Sequence, residues 1–387
     1  MQQIIKTAYP VPRLITSPNL FAGEKALMAL KGVACSRVLL LTGQSLANEL
    51  REEIKKSLSA ETVIEVSRPT GGDPSFDSVQ LVWDILDGRR PDCIVAVGGG
   101  AVLDLAKLLL LWLEWPNATL ERMKRPFALP PLKKRTKLVA IPTTAGSGSE
   151  VSSAALILDA STQTKMAIVS HDFIADVSLL DPRFLRTIPR SIMVAGMIDA
   201  MTHAVEGYLS SVANPIADAL AESTVSMLGR YAFQWLEGGE QNLSIIQNLQ
   251  IASHQAGIVQ NQCGVGICHS LAHQMARFGV GHGEANGLFL REVLRFNCQD
   301  EVTKKRLAYL METANVMIPE WLQKMQEAGG LATTLWNIPA AQKMDHNQIA
   351  QDALQDICTR FNPRPVVEED FLDLLARNLD QTPEVSG

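Results

Sequence analysis

Seven histidines stand in the 387 residues, and three of them, His269, His273 and His282, fall close together in GVGICHSLAHQMARFGVGHG. His269 and His273 are spaced i, i+4, which places them on one helix face, and His282 follows a glycine-rich turn (Gly279, Gly281, Gly283). Upstream, Asp199 and His203 repeat that spacing within the apolar run VAGMIDAMTHAVEGYL. A carboxylate and an imidazole on a buried helix face are costly unless they are paired or bind a metal. One such pair alone reads as a hydrogen bond between neighbouring turns. Two pairs plus a third histidine in one stretch of helices favour a metal, and one Asp with several His suits Fe²⁺ or Zn²⁺.

A second kind of chemistry lies earlier. Gly98-Gly99-Gly100 separates an apolar strand from a helix starting near Ala101. Glycines there allow positive φ and let a phosphate approach the backbone, and the helix N-terminus adds N–H groups and partial positive charge. The pattern is not G-x-G-x-x-G, since Leu103 takes the last glycine position, and no G-K-[ST] follows. Alone it reads as a tight turn. The loop Pro142-Thr-Thr-Ala-Gly-Ser-Gly-Ser-Glu150 also follows a strand and carries hydroxyls able to wrap a polar ligand, although a flexible connector would look similar. Both loops leave the C-terminal ends of predicted parallel strands, where open α/β sheets bind ligands.

The elements that must position these residues change rhythm along the chain. Between Ser36 and Pro182, short β-branched runs (Arg37–Thr42, Thr62–Val66, Cys93–Val97, Lys137–Ile141) alternate with helical patterns (46–58 and 79–86). That alternation predicts a parallel sheet covered on both faces, with Ala154–Leu158 and Lys165–Val169 as an added hairpin. After Pro189 the chain is Ala-, Leu- and Met-rich with helical spacing, broken by loops at 237–242, 263–267 and 328–339. Two domains are expected, an α/β domain over residues 1–185 and an all-helical domain over 186–387.

The 35 Lys+Arg and 41 Asp+Glu give a formal charge of −6, a balance without a large basic footprint, so nucleic acid is not the expected partner. With 47% hydrophobic and 20% charged residues the chain can bury a core. The six cysteines are scattered without a C-x-x-C pair and fit a reducing compartment. The first twenty residues lack the order of a signal peptide, and the last six, Thr382–Gly387, read as fraying. The most apolar stretch, Ala101–Trp115, carries Asp104, Lys107 and Glu114 and reads as a buried helix rather than a membrane span. A soluble, cytoplasmic protein is expected, with no membrane partner.

Over nearly its whole length the chain resembles the iron-containing (group III) alcohol dehydrogenases. The resemblance rests on GGGAVLDLAK (98–107), AIPTTAGSGSE (140–150), LLDPRFLRTIP (179–189), GMIDAMTHAVEGYLS (196–210), GICHSLAHQ…GHGEANG (266–287) and FNPRPVVEEDF (361–371), in the family's order. It implies a Rossmann-like, parallel-sheet nucleotide-binding domain followed by a helical metal-binding domain, the dehydroquinate-synthase-like plan, and a homodimer. It assigns Asp199, His203, His269 and His282 as ligands of Fe²⁺ (alternatively Zn²⁺) and places His273 near the nicotinamide as a proton relay. For NAD or NADP it implies Gly98, Gly99, Gly100 and Asp104 at the pyrophosphate and nicotinamide end. Thr143, Thr144, Ser147 and Ser149 would surround the adenosine and diphosphate, with Lys165 near the ribose.

Two departures bear on the cofactor. Ala101 stands where the family usually has Ser, and Gly43 stands near the Asp that NAD-preferring members use for the adenosine ribose. Without that carboxylate a 2′-phosphate is not repelled, so NADP use becomes plausible. The segment Arg277-Phe-Gly-Val-Gly281 is less bulky than usual and alters the substrate pocket. The expected activity is reversible hydride transfer between a small alcohol or aldehyde and NAD(P), with the metal as Lewis acid. The competing readings are a glycerol-dehydrogenase-like enzyme with Zn²⁺, a maleylacetate-reductase-like enzyme, a dehydroquinate-synthase-like lyase using NAD transiently, and a non-catalytic binding protein.

Overall fold

The computed structural model describes residues 14–68, 72, 74–116, 120–123, 125, 128–159 and 164–379. Residues 1–13, most of the stretch read above as lacking a signal peptide, lie outside the described residues, as does Thr382–Gly387. The first half runs β1 (Leu20–Ala22), β2 (Arg37–Thr42), α1 (Asn48–Ser57), β3 (Thr62–Ser67), α2 (Phe76–Leu86), β4 (Cys93–Gly98) and α3 (Gly100–Glu114). It continues through β5 (Lys137–Pro142), β6 (Ala154–Asp159), β7 (Thr164–Val169) and β8 (Val177–Leu180).

Six strands form one parallel sheet in the order β1-β8-β5-β4-β2-β3, while β6 and β7 pair as the expected antiparallel hairpin. The apolar strands alternate between two cores, as buried parallel strands should. Leu39, Leu41, Ile94, Ala96, Leu138 and Ala140 belong to a core with α2, α3 and the hairpin. Val38, Leu40, Val95, Val97, Val139 and Ile141 belong to the core shared with the helical half. Strands β1 and β8 carry too few residues to show a pattern in sequence. Helix α2 starts at Phe76, three residues before its expected start, because Ser75 and Ser78 form a capping box.

The second half is helical: α4 (Arg190–Leu209), α5 (Pro215–Gln234), α6 (Leu243–Cys263), α7 (Ile267–Met275) and α8 (His282–Asn297), then α9 (Glu301–Ala314), α10 (Ile318–Gly329), α11 (His346–Gln355) and α12 (Glu368–Leu379). Asn214 caps α5 ahead of Pro215 and Asn242 caps α6, so side-chain oxygens satisfy their first N–H groups. Helix α4 is buried continuously from Met197 to Leu209, which puts Asp199 and His203 in the middle of the shared core. Helix α3 is buried along most of its length, as expected of Ala101–Trp115. Among the described residues no helix is long and apolar enough to cross a membrane.

The loop after β5 is a packed joint between the two halves rather than a flexible connector. A Cβ built on Gly146 would lie 2.6 Å from Gly196 Cα in α4, and one on Gly148 would lie 2.4 Å from Gly257 Cα in α6. Gly148 also has φ +56°, the left-handed region that glycine tolerates. Buried polar pairs reinforce the joint: His254 Nδ1 meets Glu150 Oε1 at 3.0 Å, and Gln250 Nε2 donates to the Pro142 carbonyl at 3.1 Å.

Candidate active site

Three helices deliver four donor atoms to one point. Helix α4 supplies Asp199 and His203, α7 supplies His269, and His282 is the first residue of α8. Asp199 Oδ1 lies 3.7 Å from His203 Nε2, 3.7 Å from His269 Nε2 and 3.5 Å from His282 Nε2. Each of the four offers one ligand atom, all within 4.8 Å of one another. Donors arranged tetrahedrally about 2.1 Å from one ion stand roughly 3.4 Å apart, so the spread suits a single metal better than mutual hydrogen bonding.

The electrostatics agree. Burial pushes His203 down to about 4 and His282 well below its ordinary value, against the attraction of Asp199, so both imidazoles are neutral with their lone pairs available. Burial opposes ionisation of Asp199, yet the surrounding imidazoles hold its carboxyl well below the usual carboxylate range. His269 goes the other way. Burial works against its charge, but the Asp199 and Glu206 carboxylates push it up to about 9. Two buried carboxylates therefore demand a positive charge at this point, which a proton on His269 or a bound cation can supply.

His273 joins the group without contributing to the four donors. Its ring stacks on that of His282 with centroids 5.4 Å apart, and its Nδ1 lies 2.8 Å from Asp356 Oδ2. Lys165, on β7, lies close enough to His282 for its charge to disfavour the imidazolium there.

The glycine turn opens onto a separate cleft of about 300 Å³ at the C-terminal ends of the strands. Gly43, Gly98, Gly99, Thr143 and Thr144 line it, along with Ser45, Phe184 and Ile192. No charged side chain is among the described lining residues. No side chain caps the start of α3, leaving its first N–H groups to meet an anion. The reason for three glycines differs from the expected one. None has positive φ; a Cβ on Gly98 would strike Val102 at 2.5 Å, one on Gly99 would meet Thr144 at 3.1 Å, and one on Gly100 would meet Ser147 at 3.0 Å. Asp104 and Ser149 lie buried beneath the turn. There Asp104 accepts from Ser149 Oγ (2.6 Å) and from the Leu156 N–H (3.0 Å), tying α3 to the loop and the hairpin.

Residues 17–182 match the family described as iron-containing alcohol dehydrogenase, and residues 193–379 match the Fe-containing alcohol dehydrogenase family, C-terminal. The chain belongs to the iron-containing alcohol dehydrogenase family. An alcohol dehydrogenase of Thermococcus barophilus is 31% identical over 366 residues, covering 90% of this chain and 94% of that protein. The NADPH-dependent butanol dehydrogenase of Clostridium saccharobutylicum is 27% identical over 371 residues, covering 91% and 94%. The solved iron-containing alcohol dehydrogenase of Thermococcus thioreducens superposes with a TM-score of 0.83 at 25% identity, covering 95% of this chain and 99% of that one. Membership makes this protein an oxidoreductase of the alcohol dehydrogenase kind.

In this iron-containing alcohol dehydrogenase family member the reading of the sequence missed three supporting side chains. Glu206 Oε2 meets His269 Nδ1 at 2.6 Å while its Oε1 accepts from the Cys268 N–H at 2.8 Å. Asn286 Nδ2 donates to Asp199 Oδ1 at 2.8 Å and lies 3.2 Å from His269 Nε2. Asp356 holds His273. Asp199, His203 and Glu206 follow each other at helical spacing, a signal in the sequence that could have included Glu206. A carboxylate behind a ligating histidine fixes its tautomer and raises its basicity, and its loss typically costs about 10–100-fold in metal affinity. Glu206→Gln is accordingly expected to weaken metal binding by about that factor. Competition with a chromophoric chelator checks it, and an unchanged affinity would deny Glu206 this role.

Proposed function

We propose that this protein interconverts small alcohols and aldehydes by hydride transfer with NAD or NADP, using a divalent ion, Fe²⁺ or alternatively Zn²⁺, at Asp199, His203, His269 and His282. The observation that carries the reading is the convergence of one ionised carboxylate and three imidazole nitrogens, two of them held neutral by burial. A metal bound there supplies Lewis acidity toward the substrate oxygen, easing loss of the alcohol proton in one direction and polarising the carbonyl in the other. A dinucleotide supplies or accepts the hydride.

The chain's own residues orient the reactants and move the proton. The N-terminus of α3 and the close-packed backbone of Gly98 and Gly99 suit a pyrophosphate. Thr143 and Thr144 offer hydroxyls along the same cleft. Gly43 presents no side chain to the cleft, and no carboxylate lines the described part of it, so a 2′-phosphate meets no repulsion. The NADPH dependence named for the Clostridium relative fits that reading. In this reading His273, stacked on His282, takes the alcohol proton toward solvent. Action as a homodimer in the cytoplasm belongs to the same proposal.

The test is an aldehyde and alcohol panel run on protein loaded with Fe²⁺ or Zn²⁺, followed by NADH and NADPH absorbance. Turnover of a small aldehyde with either dinucleotide is expected. Absence of net oxidation or reduction with every carbonyl and alcohol would leave the lyase or binding readings.

A further inference from the structure

We propose that Asp356 is a positioning residue that holds His273 in the tautomer with its proton on Nδ1, keeping Nε2 bare as the proton acceptor for substrate. This rests on the alcohol dehydrogenase reading only for what the acceptor does; the tautomer rests on the contact between the Asp356 carboxylate and His273 Nδ1.

Asp356 is anchored at both oxygens. Oδ1 accepts from the Cys358 N–H at 2.8 Å, and Oδ2 lies 2.8 Å from His273 Nδ1. Its backbone closes α11 and opens the short helical turn Ile357–Phe361, so its position is set by two elements at once. Among the described residues the contact is one of three side-chain rungs joining α7 and the turn after it to the C-terminal segment. Ser270 Oγ meets Thr359 Oγ1 at 2.8 Å, and Arg277 donates to Asp352 Oδ2 at 2.8 Å. The rungs fix the register of His273 against Asp356.

An ionised carboxylate can only accept, so the shared hydrogen belongs to Nδ1 and Nε2 carries a lone pair. Asp356 is ionised: burial opposes it, but His273 and the Cys358 N–H hold its carboxyl below the ordinary value. Among the described residues Nε2 of His273 has no partner. His273, Asp356 and Cys358 together could also suggest a second metal site. Burial pushes the Cys358 thiol well above its ordinary value, so it stays protonated and is a poor ligand. In alcohol oxidation the O–H bond breaks and its proton forms a bond to Nε2. The resulting imidazolium lies against the Asp356 carboxylate, and the ring then releases the proton to water.

Asp356→Asn tests this because it preserves shape and the hydrogen bond from Cys358. Its amide can donate to Nδ1, which shifts the ring proton to Nε2 and removes the acceptor. On Zn²⁺-loaded, ¹⁵N-histidine-labelled protein, NMR should show wild-type His273 protonated at Nδ1 and bare at Nε2, with the signal assigned by its loss in His273→Gln. In Asp356→Asn the proton should move to Nε2. The kcat should fall by about 10²-fold or more, with KM for the alcohol within about threefold and metal content unchanged. Asp356→Glu, which keeps a carboxylate, should recover part of kcat. An Nε2–H tautomer in the wild type would overturn the proposal whether or not any variant folds, as would an Asp356→Asn enzyme with wild-type kcat. A wild type inert toward every alcohol would instead sink the proposed function, with the tautomer still decided by NMR.

Discussion

Substituting His269 by alanine is expected to abolish metal retention and alcohol oxidation together. Among the described residues, His269 is the only one of the four candidate ligands whose far nitrogen is anchored by a buried carboxylate, Glu206 at 2.6 Å. Removing the imidazole takes away one donor and leaves Glu206 and Asp199 buried with less compensation. Lewis-acid stabilisation of a developing alkoxide contributes several kcal/mol, so kcat/KM should fall by about 10³-fold or more. Bound metal per chain, measured by mass spectrometry, should drop to background in the same sample. His203→Ala should behave alike, since His203 stacks on His269 with centroids 4.7 Å apart and points Nε2 at the same oxygen. A variant that lost its metal but kept full turnover would separate the ion from the chemistry.

The second large effect concerns the joint between the halves. Gly148→Ala places a methyl 2.4 Å from Gly257 Cα at a residue with φ +56°. Left-handed strain costs about 1–2 kcal/mol, and overpacking against backbone costs about 1–3 kcal/mol more. The variant should lose apparent thermal stability by differential scanning fluorimetry and should also bind NAD(P)H more weakly, because the same loop carries Thr143 and Thr144. Gly330→Ala is the control: φ is +63°, yet nothing lies within 4 Å of its Cβ position, so only the backbone strain applies. Equal losses in the two variants would show that the close approach to Gly257 contributes nothing.

The contrast between these sites explains what was legible in the sequence. Asp199 with His203 and His269 with His273 were visible because each pair sits on one helix, where spacing alone fixes a shared face. His282 was visible only by proximity along the chain. Glu206 was readable in principle, lying on the face of Asp199 and His203, but a lone Glu near the end of an apolar helix looks like solvation. Asp356 was not readable at all. Eighty-three positions separate it from His273, and nothing local marks their meeting. The sheet followed from strand–helix alternation, whereas β1, three exposed residues at the edge, is defined by pairing with β8 rather than by its own pattern. The glycine turn falls at the expected strand–helix junction but for a different reason: local propensity suggested positive φ, which none of the three adopts, and tertiary contacts from Val102, Thr144 and Ser147 are what exclude a side chain.

The most direct measurement of the central claim is a strip-and-restore titration on one preparation of the full chain. The protein is freed of metal with a chelator and assayed with an aldehyde that the panel has shown to be reduced, using the preferred dinucleotide. It is then titrated with Fe²⁺ or Zn²⁺ under anaerobic conditions. The arrangement of Asp199, His203, His269 and His282 predicts that activity vanishes on stripping and returns in proportion to metal bound, reaching its plateau at one ion per chain. Undiminished turnover by the stripped protein, or a plateau that needs no ion at these four residues, would contradict it.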